Sequence, residues 1–145
     1  MPQVTKAPFS FPSAALLQRR MDFIIETVDG ETLLYDQQRH KAFCLNCIAS
    51  AIWRLCDGAH NTAQIADAAS VELGTAISEE AVLLAFEDFR RDDLIEPSVE
   101  PLPAAMLSRR DIAIKLGVSA AMMLPVIAAV VAPRAAQAYS GCADC

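Results

Sequence analysis

Alternating and β-branched apolar residues near the start of the chain predict three short strands. The first covers Phe23–Val28 and the second covers Thr32–Tyr35, and the Asp29-Gly30 pair between them is a strong hairpin turn signal. After a polar turn, Lys41–Leu45 predicts a third strand. Because the connections are short, we expect one three-stranded antiparallel meander.

Helical spacing of apolar residues predicts three helices after the meander. They span about 47–57, 62–73 and 79–92, and the capping residues Asn46, Asn61 and Ser78 precede them. On the third helix, Leu84 falls opposite the apolar face, so we expect it to be exposed. Leu94–Glu96 then predicts a short extended piece that closes the domain.

The flanks of this domain have a different pattern. Residues 1–21 contain three prolines and no sustained period, which predicts a flexible lead-in. The folded domain is expected at 22–97, where we expect it to fold without a cofactor, and a proline-rich linker follows at 98–107.

A long apolar run lies in the segment 108–138. Leu116–Pro133 is an uncharged stretch of 18 residues, which as a helix would be about 27 Å long, close to the thickness of a bilayer core. Three basic residues precede it and one follows, and this bias predicts a cytoplasmic domain anchored by a C-terminal apolar helix. The alternative is a helix that docks on the domain or on a partner, and Pro125 weakens a straight span.

The start of this segment resembles a twin-arginine export signal. Arg109-Arg110 precedes the apolar run, and Ala136-Gln137-Ala138 after it resembles a cleavage site, although such signals normally begin a chain. Cleavage there would separate the tail Tyr139–Cys145 from the rest of the chain, and export would carry the tail across the membrane.

The charge distribution argues against one class of function. Residues 21–100 carry 16 acidic and five basic side chains, a net charge of −11 in a chain whose overall charge is −6. Such a domain repels phosphate backbones, so a nucleic-acid partner is disfavoured. The same charge argues against a winged-helix regulator that binds DNA.

Four of the five cysteines form two C-x-x-C pairs, Cys44/Cys47 and Cys142/Cys145. Two such pairs can make a zinc site, but about 95 residues separate them, so we expect no metal. Cys47 begins a predicted helix, where a thiol can be reactive. We favour the simpler interpretation, a small residue packed under the hairpin.

The order of three strands and three helices, together with several residues within them, resembles the PqqD-like family. These domains are recognition elements for the precursors of ribosomally made, post-translationally modified peptides (RiPPs). The resemblance covers about residues 22–97. The matching residues are Leu34–Asp36, Arg39–Asn46, Ala51–Gly58, Ile65-Ala66 and Asp93–Glu96. It implies an α+β, winged-helix-like domain.

The resemblance also implies a function without catalysis. Such domains hold the leader of a ribosomally made peptide as an added strand, while a modifying enzyme, such as a radical SAM enzyme, acts on the distal core. We predict that the leader pairs with the third strand and lies beside the third helix. The predicted binding residues are Lys41, Ala42, Phe43, Cys44, Leu45, Leu83 and Arg90.

Two alternatives remain at this stage. The chain is itself a fused precursor, whose tail is modified at Cys142 and Cys145 and exported. Otherwise it is a membrane-anchored thiol protein with a redox or metal-binding role.

Overall fold

The computed structural model describes residues 17–97, 109–110, 114 and 124–131, and within them the fold is α+β. The strands are β1 (Ile24–Val28), β2 (Glu31–Asp36), β3 (Lys41–Leu45) and β4 (Ile127–Val131), and the helices are α1 (Cys47–Leu55), α2 (Thr62–Leu73) and α3 (Glu79–Arg91). The three predicted strands and three predicted helices are confirmed, each within about two residues.

The strands form one antiparallel sheet in the order β1-β2-β3-β4. Asp29 and Gly30 both have positive φ, 51° and 87°, as the tight turn between β1 and β2 requires. In the next turn, the Asp36 carboxylate accepts the N–H groups of Gln38 and Arg39 at 2.9 and 3.1 Å. These two local turns place β3 beside β2 and leave its other side open for a fourth strand.

The helix ends follow the predicted capping chemistry. Asn46, Asn61 and Ser78 each accept the N–H of the residue three positions later, and Asn61 with Gln64 forms a reciprocal capping box. Helix α2 ends at Gly74 in the left-handed conformation. The bounds of the helices were therefore encoded locally.

The core lies between the sheet and the helices. Its largest fully buried side chains include Trp53, Phe43, Phe86 and Phe89, and the Trp53 indole N–H donates to the Leu94 carbonyl at 3.0 Å. Leu84 is only 5% exposed, so the expectation that it faces solvent is wrong. The expectation assumed that α3 buries a single apolar face, whereas α3 is covered on more than one side.

The last residues of the lead-in predicted at 1–21 pack against the folded domain. Leu17 is 1% exposed, and Gln18 and Arg19 form bridges with Asp57 and Ile95. Ile95 lies in the predicted closing piece, which the structure confirms as extended. Residues 98–107 and 139–145 lie outside the described residues.

The predicted C-terminal apolar helix is wrong over residues 127–131, which form β4 instead. Three of those five residues are β-branched, and Pro125 disfavours a helix continuing through this point. Among the described residues, no helix has the length and hydrophobicity needed to cross a membrane.

Candidate peptide-binding edge

The outer side of β3 is occupied by a segment of the same chain. Strand β4 pairs with all five residues of β3, from Lys41 opposite Val131 to Leu45 opposite Ile127. This is the strand for which the sequence predicts a peptide ligand. The pairing shows that its edge accepts an extended apolar segment over its full length.

The hydrogen bonds that continue from Asn46 fix which groups of β4 face β3. The Asn46 N–H donates to the Val126 carbonyl at 3.1 Å. Because bonded and non-bonded pairs alternate along antiparallel strands, the N–H groups of Ala128 and Val130 point towards β3. Those of Ile127 and Ala129 point away from it.

Asn46 contacts the docked segment with its side chain as well. Its Oδ1 accepts the N–H of Ala49, as the cap of α1, and also the N–H of Val126 at 3.1 Å. Its Nδ2 donates to the Leu124 carbonyl at 3.0 Å. One residue therefore caps a helix and fixes the start of the added strand.

A second anchor lies on α3. Asp88 has a side chain only 5% exposed, and it forms ion pairs with Arg91 of the same helix and with Arg109. Arg109 also donates to the Pro125 carbonyl at 2.8 Å, so its guanidinium joins α3 to the segment that leads into β4. Partial burial lowers the pKa of Arg109, and these two acceptors offset the lost hydration.

The sequence-predicted residues divide into two groups. Lys41–Leu45 form β3, with Phe43 and Leu45 buried in the core and Lys41 exposed. Leu83 is a core residue at 1% exposure. Arg90 is exposed and pairs with Glu87.

Sequence reasoning missed Asn46 and Asp88 as contacts of the segment. Asn46 was recognised only as a helix cap, and its second role depends on a segment 80 positions away. Asp88 gave one weak signal, an acidic residue directly before the buried Phe89.

The cysteines near the edge are not free thiols. Cys44 and Cys47 are both disulfide-bonded, and the Cys47 Sγ lies 3.8 Å from the Asp29 carbonyl oxygen, under the hairpin as expected. In the part of the chain that the structure describes, no three His, Cys, Asp or Glu side chains are grouped to hold a metal. Cys142 and Cys145 lie outside the described residues.

Comparison with known proteins identifies one family. The family model of PqqD, Coenzyme PQQ synthesis protein D, matches residues 31–95, which run from the start of β2 to the closing piece after α3. No significant match is found among curated proteins or solved structures. Residues 31–95 of this chain are therefore similar to the PqqD family, in agreement with the residues shared with PqqD-like domains.

Proposed function

We propose that this protein is a non-catalytic peptide-binding module in the biosynthesis of a ribosomally made, post-translationally modified peptide. A leader pairs with β3 at Lys41–Leu45, and a peptide-modifying enzyme, such as a radical SAM enzyme, acts on the core that follows. Leu83 and Arg90 remain in the proposed site. The observation that carries the proposal is the docking of residues 127–131 along the whole of β3.

The physics of strand addition supports a peptide ligand. An open strand presents a row of N–H and C=O groups that any extended peptide can satisfy, while neighbouring side chains select among sequences. Here the side chains of Phe43 and Leu45 anchor β3 in the core, so the edge of β3 is formed before a ligand arrives. A preformed edge reduces the ordering cost of binding.

The same observation favours a second candidate, the fused precursor. Strand β4 occupies the place of a leader, and the chain continues beyond it to Cys142 and Cys145. In this version the domain recognises its own tail, and those two cysteines are the proposed modification sites.

Proline substitutions in the full chain test the binding edge. Ala128→Pro removes an N–H that faces β3, whereas the matched Ala129→Pro removes one that faces away. Tethering gives the native segment an effective concentration on the order of millimolar, and a free probe needs a similar concentration. The probe is therefore a synthetic peptide of residues 124–134 at about 1 mM. We expect it to shift the backbone amide signals of 41–45 in Ala128→Pro, and not in the wild type or in Ala129→Pro.

Two results would contradict the proposal. One is the absence of peptide binding to Ala128→Pro when β4 has been released. The other is a set of shifts centred on 62–73, because α2 lies away from the edge.

Mass measurement of the C-terminal peptide from producing cells separates the two candidates. A mass change at Cys142 or Cys145 identifies a fused precursor. An unmodified tail beside a modified separate peptide identifies a module that acts on its ligand in trans.

A further inference from the structure

The segment that occupies β3 is held at two places of different chemistry. Along β4 the contacts are backbone hydrogen bonds, and all five side chains of Ile127–Val131 are uncharged. At the other place, a guanidinium contacts a carboxylate on α3. The first contact is tolerant of sequence, whereas the second requires a particular side chain.

Asp88 is one of two buried acidic residues in the described part of the chain, and the other, Asp36, accepts backbone N–H groups within its own turn. Burial of a carboxylate is costly unless the group is paired. Its partner on its own helix, Arg91, has a side chain 62% exposed, whereas that of Arg109 is 43% exposed, so Arg109 is the better shielded of the two partners. Arg109 is the partner that arrives with the docked segment.

The position of Arg109 couples the two places. The same guanidinium that pairs with Asp88 donates to the Pro125 carbonyl at 2.8 Å. Val126, the next residue, is bonded to Asn46. Binding of the arginine therefore helps to set where the strand begins, and so its register on β3.

We infer that the peptide site of this domain has a second pocket, formed by Asp88 on α3, that takes an arginine from the bound peptide. The ligand is then an extended, uncharged apolar strand together with one guanidinium. This inference rests on the proposed function, since it names what the β3 site selects. In the described structure the ligand is the chain's own segment.

Residue-resolved hydrogen exchange of the full chain tests the pocket. Arg109→Gln and Asp88→Asn each remove one charge of the pair, and each is expected to speed exchange of the Ala128 and Val130 amides by about tenfold, the effect of one charged hydrogen bond. The double variant should exchange no faster than either single variant, because both remove the same contact. Arg109→Lys keeps the charge but lacks the planar guanidinium with its several donors, so the exchange rates of Ala128 and Val130 in this variant should be intermediate.

The control is Arg54→Gln, which removes the same charge from an exposed pair with Glu72 on α1 and α2. It should leave the Ala128 and Val130 rates unchanged. The amides of Ile52 and Trp53 report global stability, and they should keep their protection in every variant. If they lose protection in parallel with β4, Asp88 has only a structural role and the pocket is wrong.

Two further outcomes separate the inference from the proposed function. If Ala128 and Val130 are protected in the wild type and insensitive to Arg109→Gln and Asp88→Asn, the arginine pocket is wrong while strand binding stands. If the two amides are unprotected in the wild type, β4 does not pair with β3, and the observation that supports both is lost.

Discussion

Asn46 and Val126 exchange two hydrogen bonds, one from the Asn46 backbone N–H to the Val126 carbonyl and one from the Val126 N–H to the Asn46 Oδ1, both 3.1 Å long. Asn46 is also the cap of α1. The end of β3, the start of α1 and the entry to β4 are thus fixed by one side chain.

Substitutions at Asn46 should separate its two roles. Asn46→Asp keeps an acceptor for the Ala49 and Val126 N–H groups but loses the donor to the Leu124 carbonyl. We expect α1 to keep its stability, since Asp is as good a cap as Asn, while the amides of Val126, Ala128 and Val130 exchange faster. Asn46→Ala should also lower the free energy of unfolding by about 1 kcal/mol. Equal exchange of these three amides in Asn46→Asp and wild type would contradict this role.

A buried hydroxyl offers a route to a more stable protein. Thr32 is 1% exposed, and its Oγ1 has no hydrogen-bond partner among the described residues. Thr32→Val replaces it with a methyl group of similar size, so the free energy of unfolding in urea should rise by about 1 kcal/mol. Thr62→Val is the matched control, since that buried hydroxyl donates to Glu79 and its loss should not stabilise the domain. A Thr32→Val protein less stable than the wild type would show that the hydroxyl is satisfied in solution.

Acid stability should depend on Asp57. The hydrogen bond from the His60 side chain, with backbone N–H donors, lowers the pKa of Asp57 from 3.8 to about 2. Because this pKa is lower in the folded protein, the contribution is present above pH 4 and is lost as the pH falls towards 2. We expect wild type and Asp57→Asn to differ in urea stability at pH 5 and to converge near pH 2. His60→Ala removes the largest cause of the shift and should reduce this difference, whereas parallel curves for wild type and Asp57→Asn would contradict the linkage.

Cys56 should be unreactive in the folded protein. It is fully buried, its Sγ lies 3.2 Å from the Ile52 carbonyl, and burial raises the pKa of its thiol to about 12. Since the thiolate is the nucleophile, an alkylating reagent at pH 8 should leave Cys56 unmodified until urea unfolds the domain. Mass analysis of the peptide that contains Cys56 measures this, and rapid modification without urea would show that α1 opens locally.

The sequence by itself determined the local elements and the family resemblance. The turn at Asp29-Gly30 and the caps at Asn46, Asn61 and Ser78 act within a few residues, so their patterns predicted the bounds of the strands and helices. The residues shared with PqqD-like domains lie in these elements, and the family match at 31–95 confirms that resemblance.

Only the tertiary structure decided the state of the apolar segment near the end of the chain. An uncharged apolar run has no periodicity that distinguishes a helix from a strand, and Ile127–Val131 became a strand because β3 offers an open edge. The contacts of Asn46 with Val126 and of Asp88 with Arg109 join residues 80 and 21 positions apart. Such contacts depend on where the folded chain returns, which no local pattern encodes.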